Sequence, residues 1–169
     1  MTTAPAEKVR FAHKAEFTAL RAVVGALGAL DWRRAGNIGA RIGALGYRPL
    51  GIRRRVVERQ IAAAFPGLGE TGVRRVARAA YEHLGRASIE TAILPRLGRN
   101  AVLNLFEAVD NWVAVEQALS LRRGLILVTG HLGNWELGGA YIAARGIPVD
   151  AIVRRMSNPL FDQYLTETR

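Results

Sequence analysis

Two side chains that can move protons lie five positions apart in the segment H-L-G-N-W-E, residues 131–136. His131 can accept a proton from a hydroxyl, and Glu136 can hold the imidazole in the tautomer and orientation that this step needs. The segment follows the apolar run 125–128 and precedes an amphipathic stretch, so it is predicted to join a strand to a helix. Ligand sites of open α/β sheets lie at such strand ends. The pattern therefore indicates general-base chemistry on an alcohol.

The same residues also have a purely structural interpretation. Asn134 can cap a helix that begins there, and a glutamate in the first turn is favoured by the helix dipole alone. A single histidine can likewise be structural, and amides at the helix start could hold a phosphate instead of assisting catalysis. Chemical reasoning from these residues leaves both interpretations open.

A second candidate site follows the last predicted strand, where Arg154 and Arg155 precede Asn158. Arg154 would lie at the same sheet edge as His131 and could bind a phosphate or carboxylate of a substrate. The alternative is a solvated pair of charges before a turn. The sequence contains no nucleophile-elbow serine, no phosphate-binding loop and no closely spaced pair of histidines for a metal.

The charge of the chain points to an anionic partner. Its 169 residues include 24 basic and 14 acidic side chains, a formal net charge of +10, and nearly all of the basic residues are arginine. Arginine binds phosphates and carboxylates bidentately, so nucleic acid, an anionic membrane or a phosphorylated substrate would fit. An arginine-rich genome composition is the alternative explanation. The absence of cysteine excludes disulfides and thiolate catalysis.

The predicted secondary structure that would position the candidate residues changes near the middle of the chain, from helices alone to strands alternating with helices. After a polar tail at 1–16, the spacing of apolar residues predicts a helical first part at 17–95, in which glycines allow close helix contact or a break. Strands then alternate with helices: strands at 102–108, 125–129 and 149–153, helices at 112–121, 135–144 and from 160 onward. This alternation predicts an α/β fold, with βαβ units at 100–169 forming a mostly parallel sheet.

Some segments of the first part could contact a membrane. The apolar run from Ala22 to Leu30 is shorter than the roughly 18 residues of a membrane span. A helix lying in the bilayer interface and an ordinary buried helix both fit this run. The arginine tracts 53–55 and 74–75 similarly fit either a solvated helix face or a contact with anionic headgroups.

The block GLILVTGHLGNWEL, residues 124–137, resembles the H-x4-[DE] motif of membrane-associated glycerolipid-type acyltransferases. More narrowly, it resembles the lipid A biosynthesis lauroyl/myristoyl acyltransferases. Residues 55–66 are similar to the upstream R-x-x-V-x-x-N-L-x-x-x-F-P block of that family, with Gln60 in place of asparagine.

Two further stretches agree with this resemblance. Glu90 falls where the family often has a glutamate after a long helix, and residues 152–160 are similar to its Y-R-x-x-x-N-P-L block, with Val153 in place of the aromatic residue. The similarity extends from about residue 17 to 169. Four blocks in the same order make it more specific than the short histidine motif alone.

The resemblance implies an acyltransferase with a glycerolipid-acyltransferase-like fold that needs no metal or cofactor. His131 would be the general base and Glu136 would orient it, while Arg154, Asn158 and Asn134 would bind substrate. The donor would be an acyl-carrier-protein thioester or acyl-CoA. The acceptor would be an anionic glycolipid such as a lipid A precursor, at the cytoplasmic face of the inner membrane. Because members of the family are longer, we expect the sequence to be an N-terminal part, incomplete at its C-terminus and poorly stable or inactive alone.

Other functions stay open at this point. Related enzymes acylate phosphatidylinositol mannosides, and the histidine motif does not separate them from enzymes that act on lipid A. A non-catalytic arginine-rich protein that binds a membrane or a nucleic acid would share the charge. We expect no nucleic acid partner, because aromatic residues are few and no recognition motif is present.

Overall fold

The computed structural model describes residues 9–130 and 132–168, and within these ranges every regular element is a helix. In chain order they are α1 Phe11–Leu27, α2 Trp32–Tyr47, α3 Arg54–Ala64, α4 Glu70–Ile93, α5 Arg99–Leu103, α6 Trp112–Ser120, α7 Trp135–Ala144 and α8 Pro159–Thr168, with a 3-10 turn at Leu94–Arg96. The chain forms two compact units. The first contains the described residues up to Arg96 and those from Ala151 onward, and the second is Leu97–Asp150.

The predicted sheet is wrong for the described part of the chain, which is all-α and contains no strand. The segment 102–108 instead continues from α5 into turns, where the Leu105 amide donates to the Val102 carbonyl at 3.2 Å. The segments 125–129 and 149–153 are irregular and highly exposed. A strand forms only when its backbone is hydrogen-bonded to a neighbouring strand. An apolar run in the sequence shows a propensity for strand structure, but it does not show whether a partner strand is present.

The predicted helices are confirmed, most of them to within one or two residues at their ends. The helix predicted at 135–144 has those bounds, and the one predicted at 112–121 ends one residue earlier. The helical first part predicted at 17–95 is divided into four helices, α1 to α4, and α1 begins at Phe11, inside the segment predicted to be a polar tail. Asp31 begins α2 by accepting a hydrogen bond from the Arg34 amide at 2.9 Å, which satisfies an amide that has no partner inside the helix.

Glycines allow α2 and α4 to approach until their backbones touch. A Cβ on Gly43 would lie 2.0 Å from the Tyr81 carbonyl oxygen, and a Cβ on Gly39 would lie 2.6 Å from that of Gly85. Gly85 faces the Gly39 carbonyl in the same way, at 2.2 Å. The glycines of α2 therefore serve close helix contact, because a larger side chain at these positions would separate the helices.

The hydrophobic core of the first unit lies where α1 packs against α2 and α4. Its buried members come from α1, α2 and α4: Val24, Leu27, Ala35, Ile89, Ala92 and Ile93. The apolar run 22–30 thus supplies two core residues, which supports the buried-helix interpretation for that part of the run. In the ranges that the structure describes, no helix combines the length and apolar character that crossing a bilayer requires.

Helix α8 packs against α1 through aromatic rings. The Phe17 ring centroid lies 5.8 Å from that of Phe161 and 6.1 Å from that of Tyr164. The Tyr164 hydroxyl also donates to the Ala92 carbonyl of α4 at 2.9 Å. These contacts fix the end of the described chain within the first unit, and with it the segment that carries the second candidate site.

Candidate functional site

The predicted helix start after the histidine motif is confirmed. Asn134 precedes α7, and its side-chain oxygen accepts a hydrogen bond from the Leu137 amide at 3.1 Å. Glu136 is half-buried in the first turn, where its charge interacts favourably with the helix dipole. His131 lies outside the described residues. The structure therefore fixes the helix that carries the acid of the motif and the loop that leads into it.

Gly133 shapes the turn between the two chemical residues of the motif. Its φ angle is +63°, in the left-handed region that glycine enters without the steric penalty of a Cβ. Gly133 directly precedes the cap residue Asn134, and the backbone bends there just before α7 begins. A residue with a Cβ at this position would strain the backbone that leads into α7.

An aromatic cluster holds α7 in place within the second unit. The Tyr141 ring lies 4.4 Å from the Phe106 ring and 5.5 Å, edge-on, from the Trp112 ring. Arg145 stacks over Trp112 at 4.7 Å, and its guanidinium lies 3.4 Å from the Glu116 carboxylate. These contacts join α7 to α6 and to the segment after α5. The helix whose first turn carries Glu136 is therefore packed against its neighbours within the second unit.

The second candidate site belongs to the first unit. Arg154 lies in the exposed, irregular segment that precedes α8. The Met156 amide of this segment donates to the Asp162 carboxylate in the first turn of α8, at 2.9 Å. The arginine is therefore solvent-accessible, as a role in anion binding requires.

Asn158 is buried, with 4% of its surface exposed, and its side chain has three partners. The amide nitrogen donates to the His13 carbonyl at 3.1 Å and to the Glu16 carboxylate at 2.9 Å, while its oxygen accepts from the Leu160 amide at 3.1 Å. The residue thus begins α8 and ties it to α1. Sequence reasoning missed this structural task, because the partners lie near the opposite end of the chain.

The four candidate residues that the structure describes are divided between the two units. Asn134 and Glu136 lie together at the start of α7 in the second unit. Arg154 and Asn158 lie before α8 in the first unit. Substrate binding by Asn134, Arg154 and Asn158 stays a prediction, as does the catalytic pairing of His131 with Glu136.

Glu90, the residue that the family resemblance singled out, is buried between α4 and α2. Its carboxylate lies 3.9 Å from the Arg86 guanidinium, which also donates to the Asn37 side chain of α2 at 2.6 Å. A Cβ on Gly36 would lie 2.8 Å from the Glu90 carboxylate oxygen. Glu90 is therefore part of the tight contact between these two helices.

A cluster with shifted pKa values lies where α2 meets α3. The Glu58 carboxylate accepts hydrogen bonds from the Tyr47 hydroxyl at 2.7 Å and from the Arg54 guanidinium at 2.8 Å. The Arg54 hydrogen bond is the largest influence that lowers the pKa of Glu58, and burial is the largest that raises the pKa of Tyr47. The spacing of Arg54 and Glu58 by four residues was visible in the sequence, whereas the approach of Tyr47 was not.

A groove of about 670 Å³ lies between α3 and α4. Its polar lining consists of three arginines and two glutamates, Arg55, Arg59, Arg74, Glu58 and Glu70. Arg74 pairs with Glu70, and Arg54 pairs with Glu58, so both acids are already neutralised. Among the described residues, no group of three or more histidines and carboxylates could hold a metal ion.

A sequence model of the bacterial lipid A biosynthesis acyltransferases matches residues 5–169. The chain belongs to this family. The resemblance seen in four short blocks is therefore confirmed over nearly the whole chain. The comparisons with curated proteins and with solved structures found no match.

Membership of the lipid A acyltransferase family gives the helix start at α7 a chemical context. The family consists of acyltransferases in lipid A biosynthesis, so membership supports an enzyme that uses an acyl donor and a lipid acceptor. The match includes the histidine motif and the segment that carries Arg154 and Asn158.

Proposed function

We propose that the protein transfers a fatty acyl chain from an acyl thioester to a hydroxyl of a lipid A precursor or a similar anionic glycolipid. The thioester is that of acyl-carrier protein or of coenzyme A. The reaction takes place at the cytoplasmic face of the inner membrane, where such a lipid acceptor is held. His131 is the general base and Glu136 its positioning residue.

The chemistry needs one proton acceptor and one polarised carbonyl. The imidazole of His131 takes the proton of the acceptor hydroxyl while the hydroxyl oxygen attacks the thioester carbonyl carbon. A carbon–oxygen bond forms, the carbon–sulfur bond breaks, and the departing thiolate receives the proton from the imidazolium. The products are an ester and a free thiol, so atoms and electrons balance without another reactant.

The observation that carries the proposal is the position of Glu136 in the first turn of α7. The Asn134 cap and the left-handed Gly133 define the backbone that leads into that turn. A carboxylate held near an imidazole keeps the ring in one tautomer and stabilises the imidazolium that forms during transfer. We assign this role to Glu136, which lies on a helix that the aromatic cluster supports.

The charge of the chain supports the choice of substrates. With a net charge of +10, the protein attracts an acidic carrier protein and a phosphorylated glycolipid over a distance. Arg154 offers an exposed guanidinium that can bind a phosphate through two hydrogen bonds. We assign it to the acceptor or to a phosphate of the donor, and the other proposed substrate contacts are those of Asn158 and Asn134.

Incubation of the purified full chain with each donor separately tests this proposal. One reaction contains palmitoyl- or lauroyl-carrier protein and the other the matching acyl-CoA, each with a lipid A precursor in detergent. The expected result is an acceptor heavier by one acyl group in mass spectrometry, with one thiol released per ester formed. Thiol release without an acylated acceptor would instead identify a thioesterase.

A second acceptor makes the assignment sharper. Phosphatidylinositol mannoside is offered to the same enzyme, since the histidine motif does not distinguish the two lipid classes. Preference for the mannoside by kcat/KM would replace the lipid A precursor as the substrate class. Absence of transfer to either lipid from either donor would refute the proposed function.

A further inference from the structure

The corner at which α2 turns into α3, residues 41–55, exposes a group of aliphatic side chains. We call this segment the basic corner. Four of its aliphatic residues are between 49% and 67% exposed: Ile42, Leu45, Leu50 and Ile52. Isolated exposed leucines are ordinary on protein surfaces, but a contiguous group indicates a surface that contacts another apolar body.

Backbone hydrogen bonds bring the loop residues of the basic corner beside the end of α2. The Leu50 amide donates to the Leu45 carbonyl at 3.1 Å, and the Ile52 amide donates to the Gly46 carbonyl at 2.9 Å. The Tyr81 hydroxyl of α4 donates to the Ile52 carbonyl. The loop is therefore folded back onto the last turn of α2, and its aliphatic side chains extend outward from a rigid base.

Arginines alternate with these aliphatic residues along the chain. From residue 32 to residue 57 the sequence contains seven arginines and no acidic residue. Arg54 pairs with Glu58, which also fixes the start of α3. Within the basic corner, all of whose residues the structure describes, the other four arginines are exposed and form no ion pair: Arg41, Arg48, Arg53 and Arg55.

We propose that the basic corner docks on an anionic lipid bilayer. Leu50 and Ile52, with Ile42 and Leu45 behind them, enter the boundary between headgroups and acyl chains, while the arginines bind lipid phosphates. Guanidinium groups suit this position because each can bind a phosphate through two hydrogen bonds. The inference deepens the proposed function, which places the acceptor in a membrane, but its test does not depend on turnover.

The charge of the corner argues for a bilayer over two other occupants. A second copy of the chain would bring two sets of arginines together, and like charges across an interface are unfavourable. A nucleic acid would match the charge, but single-stranded binding sites rely on aromatic side chains on which bases stack. The outward residues of this corner are aliphatic, and they match acyl chains.

The test is co-sedimentation of the purified full chain with vesicles of phosphatidylglycerol and phosphatidylethanolamine, compared with vesicles of phosphatidylcholine alone. One variant, Leu50→Asp with Ile52→Asp, removes the apolar contact. Its control is Leu121→Asp, because Leu121 is 66% exposed and lies outside the corner. Circular dichroism and thermal unfolding verify that each variant is folded.

A second pair of variants tests the arginines. Arg48→Gln with Arg53→Gln is compared with Arg122→Gln with Arg123→Gln. The comparison is matched because Arg53 and Arg122 both have positive φ angles, of 55° and 52°, and all four side chains are exposed. Both pairs lower the net charge equally, so a difference between them reports on position.

We expect the unmodified chain to prefer the anionic vesicles. The aspartate pair should weaken vesicle binding by about tenfold or more, the scale set by loss of one or two inserted aliphatic side chains. The Arg48 and Arg53 pair should weaken it by about fivefold per arginine at low salt. Both controls should bind nearly as the unmodified chain does, and acyl transfer to a detergent-dissolved acceptor should be unchanged in the aspartate pair.

Several outcomes would overturn the inference. These are equal binding by the folded aspartate pair, equal loss in the matched controls, and no preference for anionic vesicles. Dimerisation that depends on Leu50 and Ile52 without vesicle binding would assign the corner to a second copy. Salt-sensitive binding of RNA or DNA without vesicle binding would assign it to nucleic acid. Failure of acyl transfer with intact vesicle binding would count against the proposed function alone.

Discussion

The side-chain amide of Asn158 donates to the backbone carbonyl of His13, 145 residues earlier in the chain, across a distance of 3.1 Å. The same nitrogen donates to the exposed Glu16 carboxylate, whereas Asn158 and its contact with His13 are buried. Because a buried donor or acceptor that loses its partner pays the full desolvation penalty, this contact is sensitive to chemical change at either end. These hydrogen bonds join the start of α8 to α1.

Replacement of Asn158 by aspartate should therefore destabilise the protein. The substitution keeps the shape of the side chain, but it removes the donor and places a carboxylate beside Glu16. We expect a loss of about 1–3 kcal/mol in the free energy of unfolding, measured by urea denaturation. Asn100→Asp is the control, because Asn100 is exposed and its side chain is not part of a buried contact between helices.

The same variant distinguishes a structural role of Asn158 from the proposed substrate contact. A structural role predicts lower stability with an unchanged KM in the fraction that stays folded. A raised KM at unchanged stability would instead show that the amide binds substrate and that its contacts to α1 contribute little.

The glycine contact between α2 and α4 predicts a large effect from a single methyl group. In Gly43→Ala the new Cβ would lie 2.0 Å from the Tyr81 carbonyl oxygen, so the helices must separate. We expect destabilisation by about 2 kcal/mol or more, on the scale of overpacked cores. The free energy of unfolding in urea measures the change.

Gly25→Ala is the matched control for this prediction. Gly25 lies within α1, and a Cβ there would meet no atom within 4 Å. Alanine should therefore be neutral or stabilise the protein by up to about 1 kcal/mol, because it has the higher helix propensity. Equal effects of the two substitutions would show that α2 and α4 are not in close contact.

The Glu58 cluster predicts a stability difference that depends on pH. Its hydrogen bond with Arg54, and next that with Tyr47, lower the pKa of Glu58 below the ordinary value of 4.5. A lowered pKa in the folded state stabilises the protein above the ordinary pKa, and this stabilisation disappears as the pH falls through the folded-state value. Glu58→Gln should therefore lower the unfolding midpoint at neutral pH, with a loss of about 1 kcal/mol.

The difference between Glu58→Gln and the unmodified chain should shrink as the pH is lowered below 4.5. Thermal unfolding at a series of pH values measures it. Glu82→Gln provides the comparison, because the pair of Glu82 with Arg78 is exposed and such pairs contribute little. A gap for Glu58→Gln that stays constant across this pH range would show that the carboxylate charge is unimportant there.

Features that depend on neighbouring residues in the sequence could be predicted, and features that depend on distant residues could not. Helix α7 was predicted with its observed bounds because local signals define it: an asparagine cap, a glutamate in the first turn and Gly146 just beyond the end. The family could also be recognised from the sequence, since its motifs are short and contiguous. Both kinds of information lie within a few neighbouring residues.

The features that could not be predicted depend on residues far apart in the chain. The runs 125–129 and 149–153 have the composition of buried strands, but a strand needs a partner that the run does not encode. Asn158 meets His13 across most of the chain, and Tyr47 meets Glu58 only after the loop between α2 and α3 has folded. The periodicity and spacing of residues in the sequence do not predict such long-range contacts.

The proposed catalytic pair predicts a specific loss of acyl transfer. His131→Ala should lower kcat by about 10²- to 10⁴-fold without unfolding the protein, because it removes the general base. The matched control is His83→Ala, since His83 is exposed on α4. Mass-spectrometric measurement of the acylated acceptor gives the rates. Near-normal activity of a folded His131→Ala variant would remove this residue from the mechanism.

Glu136 should act through His131, and a double variant tests this relationship. Glu136→Gln keeps the size of the side chain but loses the charge that stabilises the imidazolium, so kcat should fall with little change in KM. Glu107→Gln, an exposed glutamate of the same unit, should have no effect. If the carboxylate works only by positioning and stabilising the imidazole, adding Glu136→Gln to His131→Ala should slow transfer no further. Multiplied losses in the double variant would mean that Glu136 contributes independently of the base, for example by contacting the substrate itself.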